Sequence, residues 1–249
     1  MATSYAALCT DFYVNQKLAM KMELPGDRET VLHMFDRVRK SVPSMDRFRR
    51  YEGELSLESP RRDPEYRWLS VWGNDVRTGH VNPESMEEAY RLHRLVLEMA
   101  PYHLTISPLD VDHLELMFGF DLECRSNHDE VIADALFANT PMADLLHMPQ
   151  TRVLELQPAF GVSLSESGDL QAYFDVKTRR KSRRGRAGRY RDEPISILLT
   201  VRKYGPVQEV SDLVDVFNEL ASRGEALLTE RLVPNLLLPI SRQITSSSA

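Results

Sequence analysis

The sequence predicts an α+β protein: internally duplicated β-α-β-β-α units forming a mostly antiparallel sheet with helices mainly on one face. Three observations carry this. Long stretches alternate apolar and polar residues, as in Leu114, Leu116, Phe118, Phe120, Leu122 and Cys124 against Glu115, Asp121 and Glu123. That period of two marks a half-buried strand. Each such stretch passes through a polar turn into apolar residues at helical spacing. The pattern from Ala19 to Leu32 also lines up with that from Gly119 to Ile132, at a spacing of about one hundred residues. This divides the chain into a first α+β repeat, 1–105, and a second, 106–249, with an Arg-rich hairpin tip at 177–191 and a long C-terminal helix.

The first strand carries Val14, Gln16, Leu18, Met20, Met22 and Leu24 on one face. Pro25-Gly26-Asp27 breaks it, with Asp27 a suitable helix N-cap. Val31, Met34, Phe35, Val38 and Val42 follow at helical spacing, and Pro43 closes that helix. Strands are expected from Arg49 to Ser59 and from Tyr66 to Trp72. A helix begins near Pro83, with Asn82 as its cap, and stops before Pro101. In the second half Ser126-x-x-Asp129 reads as a capping box ahead of Val131, Ile132, Ala135 and Leu136. Strands follow near Thr151–Ser165, Leu170–Lys177 and Pro194–Tyr204, the last two flanking the basic tip as a hairpin. A long helix starts near Val210 with Leu213, Phe217, Leu220, Leu227 and Leu228 on one side. Gly224 within it costs about 1 kcal/mol relative to alanine. Pro234 ends or kinks it, Pro234 to Ile240 packs back on the body, with docking into a neighbouring chain as the alternative, and the tail from Ile244 to Ala249 frays.

Composition narrows the class. The chain has 249 residues, 42% hydrophobic and 27% charged, the make-up of a globular protein able to bury its own core. Cys9 and Cys124 are too few for a disulfide framework and read as buried or half-buried free thiols. No leader-like or membrane-spanning run is present, so a soluble, cytoplasmic protein is expected. The net charge of −6 is uneven. Lys177 to Arg191 reads KTRRKSRRGRAGRYR, nine basic residues and no acidic one, and the remaining 22 basic residues face 37 acidic ones.

The candidate sites follow from these features. Arg179, Arg180, Lys181, Arg183, Arg184, Arg186, Arg189 and Arg191 could neutralise phosphates or meet an acidic protein surface. Only Tyr190 interrupts them as a stacking group, which argues against base-specific RNA readout. Tyr66, Trp68, Ser70 and Trp72 share a strand face; if Leu69 and Val71 turn to the helices, this row forms an interface. Asp110, Asp112 and His113 could place two carboxylates near an imidazole, although aspartate is a routine turn residue there. The seven histidines show no metal-ligand spacing, and no phosphate loop, dinucleotide fingerprint or nucleophile elbow occurs. No catalytic residue, metal or cofactor is therefore assigned.

Phe217 to Leu232, FNELASRGEALLTERL, together with Leu69-Ser70-Val71 and the order of elements, resembles a sporadically distributed bacterial protein family of about this length. The Arg-rich tip departs from that family's pattern. The resemblance implies a bacterial, cytoplasmic protein and brings no activity or catalytic residues. The leading expectation is a non-enzymatic binding or assembly protein, a homo-oligomer self-associating through an open sheet face and the basic loop. One alternative is a nucleic-acid-associated protein using that loop as a phosphate clamp. The other is a ligand-binding or enzymatic pocket, for which His93 or His103 would serve a haem-type ligand.

Overall fold

The structure is a computed structural model that describes residues 4–24, 28–61, 64–178 and 194–247. Pro25, Gly26 and Asp27, and the basic residues from Arg179 to Arg191, lie outside the described residues. The fold is α+β, with nine antiparallel strands in one sheet of order β2-β3-β4-β5-β1-β6-β9-β8-β7. In chain order these are β1 (Asp11–Met20), α1 (Arg28–Ser41), β2 (Arg47–Tyr51), β3 (Glu54–Glu58), β4 (Tyr66–Trp72), β5 (Asp75–Val81) and α2 (Met86–His103). Then come β6 (Val111–Leu122), α3 (His128–Phe137), α4 (Ala143–Leu146), β7 (Ala159–Ser163), β8 (Leu170–Thr178), β9 (Ile195–Tyr204) and α5 (Asp212–Leu227). A π-helical segment (Leu228–Leu237) and α6 (Leu238–Ser247) continue from α5. Among the described residues no helix is long and apolar enough to cross a membrane.

β1 and β6 are the middle of the sheet and pair with each other from Asp11↔Asp121 to Met20↔Val111. Their even-numbered residues face the helices: Phe12, Val14, Leu18, Leu114, Leu116, Phe118 and Phe120 are all buried. α2 lies on β5 and β1, α5 on β6 and β9, and the two helices touch each other. α1 packs on α2, and α3 on α6.

Local chemistry explains the boundaries that differ from expectation. The expected strand from Arg49 to Ser59 is the hairpin β2–β3, which turns through Gly53 at φ +89°. β5 carries no apolar alternation, because its helix-facing residues are Val76, Thr78 and His80. α2 starts at Met86 rather than near Pro83: the Glu88 amide donates to the Ser85 hydroxyl at 3.2 Å, making Ser85 the N-cap. It runs through Pro101, which costs one backbone bond in the last turn, while the Leu104 amide still reaches the Ala100 carbonyl. In α3 the cap is Asn127, not Ser126. Thr151 to Pro158 is irregular, leaving β7 only five residues. The C-terminal helix passes Pro234 without stopping and stays helical to Ser247. The wider π-helical turn surrounds that proline, where a tighter turn would press its ring on the preceding carbonyl. Leu237 and Ile240 are fully buried, so the PNLLLPI stretch packs on its own chain.

Gly224 has a role that propensity alone conceals. The Phe118 ring of β6 occupies the space a Cβ at Gly224 would fill. The glycine lets α5 settle directly on the central strand. Gly224→Ala, stabilising for an isolated helix, is expected to destabilise this protein by about 1–3 kcal/mol through overpacking. Denaturant melts of the two proteins check the sign.

Candidate interaction face

The helices leave one face of the sheet uncovered, and the odd residues of β1 and β6 point to it. Register extends the face across neighbouring strands. One row runs Trp68–Gly79–Asn15–Met117–Thr200–Tyr173–Gly161, and the next Ser70–Arg77–Lys17–Glu115–Arg202–Gln171–Ser163. Leu69 and Val71 are buried toward the helices, so Tyr66, Trp68, Ser70 and Trp72 lie on the helix-free face.

Three aromatic rings lie down on this face because glycines make room. The Trp68 indole fills the space of a side chain at Gly79, the Tyr13 ring that at Gly119, and the Tyr173 ring that at Gly161. Asn15 Oδ1, beside Gly79, is buried with no hydrogen-bond partner among the described residues. Trp72 is different: it is 47% exposed at the rim, with the Arg77 guanidinium 5.1 Å from its ring centre. Tyr51 is also exposed and donates to Glu58 at 2.9 Å. Arg61 covers Tyr66 at 5.0 Å, and burial pushes the Tyr66 hydroxyl up to about 12.

Charges on the face are largely paired. Arg77 contacts Asp75, and Arg202 Nε donates to Glu115 at 2.8 Å and its Nη1 to the Tyr204 hydroxyl at 2.6 Å. Lys17 stands between Arg77 and Glu115 in register and has no ion-pair partner among the described residues. His113 joins this group: its Nδ1 is 2.7 Å from Asp112 Oδ2, and its ring lies 5.4 Å from that of Tyr204. Asp110 does not converge with them. Its carboxylate accepts from the Ser107 amide at 2.9 Å, capping a short 3-10 turn.

A second polar group lies on the other side of the sheet, under α2. Thr78 donates to Gln16 Oε1 at 2.8 Å and sits 2.6 Å from His93 Nδ1. Thr78 has a single proton, so with that proton on Gln16 the neutral His93 ring carries its own on Nδ1. His80 Nε2 meets Glu65 at 2.8 Å, and Arg67 ties Glu65 to Glu88. The sequence offered His93 or His103 for a haem-type ligand and did not foresee Gln16, Thr78 or His80 around His93; polar residues in a half-buried strand carry no mark of which neighbour they meet. His103 lies elsewhere, 3.3 Å from His33 at the surface. The space between helices and sheet is filled by Phe12, Phe118, Phe120 and Phe217. Surface clefts of about 300 and 380 Å³ are lined by Ser44, Arg67, Glu88 and Arg91, and by Leu24, Arg50, Gly53 and Trp72.

Cys9 is half-buried and Cys124 buried, both as free thiols. Burial, with Asp11 and Asp121 nearby, pushes the Cys9 thiol up to about 12, which leaves it unreactive at neutral pH.

No protein-family model and no curated protein matches this chain. A search of solved structures returns the crystal structure of the di-domain ARO/CYC BexL from the BE-7585A biosynthetic pathway, at 8% identity, covering 93% of this chain and 98% of that one. Its TM-score of 0.20 is too low for anything to be carried across.

The buried histidines set an acid limit on stability. Burial holds His80 below its ordinary range and brings His93 down to about 3. The unfolded chain therefore takes up protons near pH 6.5 that the folded chain refuses. Stability is expected to be full above pH 6.5 and to fall by about 1.4 kcal/mol per pH unit for each such histidine as pH drops toward its folded value. Urea melts between pH 7 and 5, a window above most carboxylate titration, test this. His93→Gln should flatten the slope.

Proposed function

We propose that this chain is a non-enzymatic binding and assembly protein that associates with itself through the helix-free face of its sheet. The observation that carries the reading is the Tyr66/Trp68/Trp72 row on that face, with Trp72 and Tyr51 open to solvent beside paired charges. Aromatic anchors are enriched at interface centres, where unpaired charge is depleted. Two such sheets can stack about 10 Å apart with their side chains interdigitated. The basic segment from Lys177 to Arg191 and the acidic remainder of the chain supply complementary charge between copies. The element order, with β1 and β6 central and β5-β4-β3 and β9-β8-β7 flanking them, supports reading the two halves as products of a duplication. The setting we assign, bacterial and cytoplasmic, follows the family resemblance.

The test is native mass spectrometry with sedimentation across a salt series. The expected result is a discrete oligomer at low salt whose assembly weakens as salt rises. Trp72→Ala should weaken it by about tenfold or more. A chain that is monomeric at low salt and micromolar concentration sinks the reading.

The density of arginine between Lys177 and Arg191 supports a second reading, a phosphate clamp for nucleic acid. Binding to a single- or double-stranded probe would then fall steeply with salt. It would be lost when the arginines of that segment are replaced by serine. Unchanged affinity in that variant removes the idea.

A further inference from the structure

The two edges of the sheet are built differently. β2 reads Arg47, Phe48, Arg49, Arg50, Tyr51, and its arginines repel any like edge. β7 reads Ala159, Phe160, Gly161, Val162, Ser163, with no charge and no proline, and all five residues are exposed. Phe160 is 55% and Val162 41% exposed, although both point to the side that is core elsewhere in the sheet. Phe160 stacks on Phe174 at 5.1 Å and leaves its outer surface in water.

The backbone of this edge is also open in a defined pattern. The Leu164 amide donates to the Leu170 carbonyl, and the Val176 amide to the Pro158 carbonyl. An antiparallel ladder alternates, so the even-numbered residues of β7 direct their backbone groups to β8. Ala159, Gly161 and Ser163 direct theirs outward.

We propose that β7 is an interface at which two copies of this chain pair antiparallel about Gly161, joining their sheets edge to edge. The occupant is a second copy because the strand is complementary to itself. A two-fold axis at Gly161 sets Gly161 opposite Gly161, and Ala159 opposite Ser163, as hydrogen-bonded pairs. These are the residues whose donors and acceptors face outward. Phe160 then falls opposite Val162 of the second copy, and Val162 opposite Phe160. They meet at the non-hydrogen-bonded positions where cross-strand side chains come closest. An aromatic ring against a β-branched side chain is a favoured cross-strand pair. An axis midway between two residues would set these outward groups against ones already used by β8, and an axis at Phe160 or Val162 would pair only three residues of the strand. No charged residue meets another across this pairing, whereas β2 paired with itself about Arg49 would oppose arginine to arginine. Apart from Gly161, whose open-face space the Tyr173 ring takes, the outward residues are the small Ala159 and Ser163, so among the described residues nothing bulky keeps the second backbone away.

This edge is separate from the helix-free face, and its test does not depend on that reading. In the full-length chain, Ala159→Cys combined with Ser163→Cys is expected to give a covalent dimer under mild oxidation, linked 159 to 163 between chains. Hydrogen-bonded partners lie about 5.5 Å apart at Cα, within disulfide reach. Within one chain the two positions are about 13 Å apart along the strand and cannot close. Neither single variant should cross-link. Val162→Lys, at an exposed position that leaves the core intact, should weaken dimerisation at least tenfold by sedimentation. Trp72→Ala and high salt should leave this dimer in place. A double variant that stays monomeric, one that cross-links only to a foreign polypeptide, or a Val162→Lys protein that dimerises like the wild type overturns the proposal.

Discussion

The antiparallel pairing of β1 with β6 is the contact from which the rest of the architecture takes its position. It joins the two halves through a backbone ladder that keeps one register from Asp11 to Ala19 and shifts only at Met20, and it sets which side of every other strand faces the helices. A slip of one residue would turn Phe12, Val14 and Leu18, or their partners Phe118 and Phe120, to the uncovered side. Side chains hold the register from both faces. On one, the Tyr13 ring lies in the space left by Gly119 directly opposite. On the other, Phe12, Phe120 and Tyr5 form an aromatic cluster with centroid spacings of 5.1 to 5.3 Å. At the strand entrance Asn82, at φ 49°, accepts from the Phe12 amide at 2.9 Å and donates to Asp11 at 2.6 Å. That clamp ties the end of β5 to the start of β1.

The helix layer is coupled to this ladder by unlike means in the two halves. α5 approaches β6 through Gly224 against Phe118, a purely steric fit. α2 approaches β1 and β5 across a buried polar chain, with His93 on the helix, Thr78 on β5 and Gln16 on β1. Such a chain adds little net energy over an apolar core, since each group gives up water to enter it. It does require the partners to meet in one arrangement, because a displaced member leaves a buried polar group unsatisfied. The two helices then meet each other through Tyr90 and His93 against Phe217, and Tyr90 donates to Glu225 at 2.9 Å. The polar core and the steric contact thus converge on one helix–helix seam over the β1–β6 junction.

Among the described residues, the helices leave open one face of the sheet and its two edges. The face is aromatic and charged together, and most of its charges already have partners within the chain. The Arg-studded β2 edge discourages strand addition, while the β7 edge carries no charge and, among the described residues, no cover.

The sequence by itself determined the class of fold, its two most regular strands, and the helices whose apolar residues recur at three and four. Alternation and amphipathic spacing report directly on one-sided burial, so β6 and α5 were legible. The direction of Trp68 and Trp72 followed once Leu69 and Val71 were taken as core. Tertiary structure alone decided the rest. β5 was invisible because its inward residues include Thr78 and His80, which are buried only because Gln16, His93 and Glu65 arrive from distant positions to satisfy them. Gly224 read as a defect until Phe118 was placed against it. Asp110, Asp112 and His113 read as a cluster, and the turn geometry separated Asp110 from the other two. β7 read as part of a longer strand, and its exposure depends on being the last strand in the sheet. Local pattern records how each residue meets solvent on average. Which distant side chain it meets is set by register and packing, and those exist only when the chain has closed.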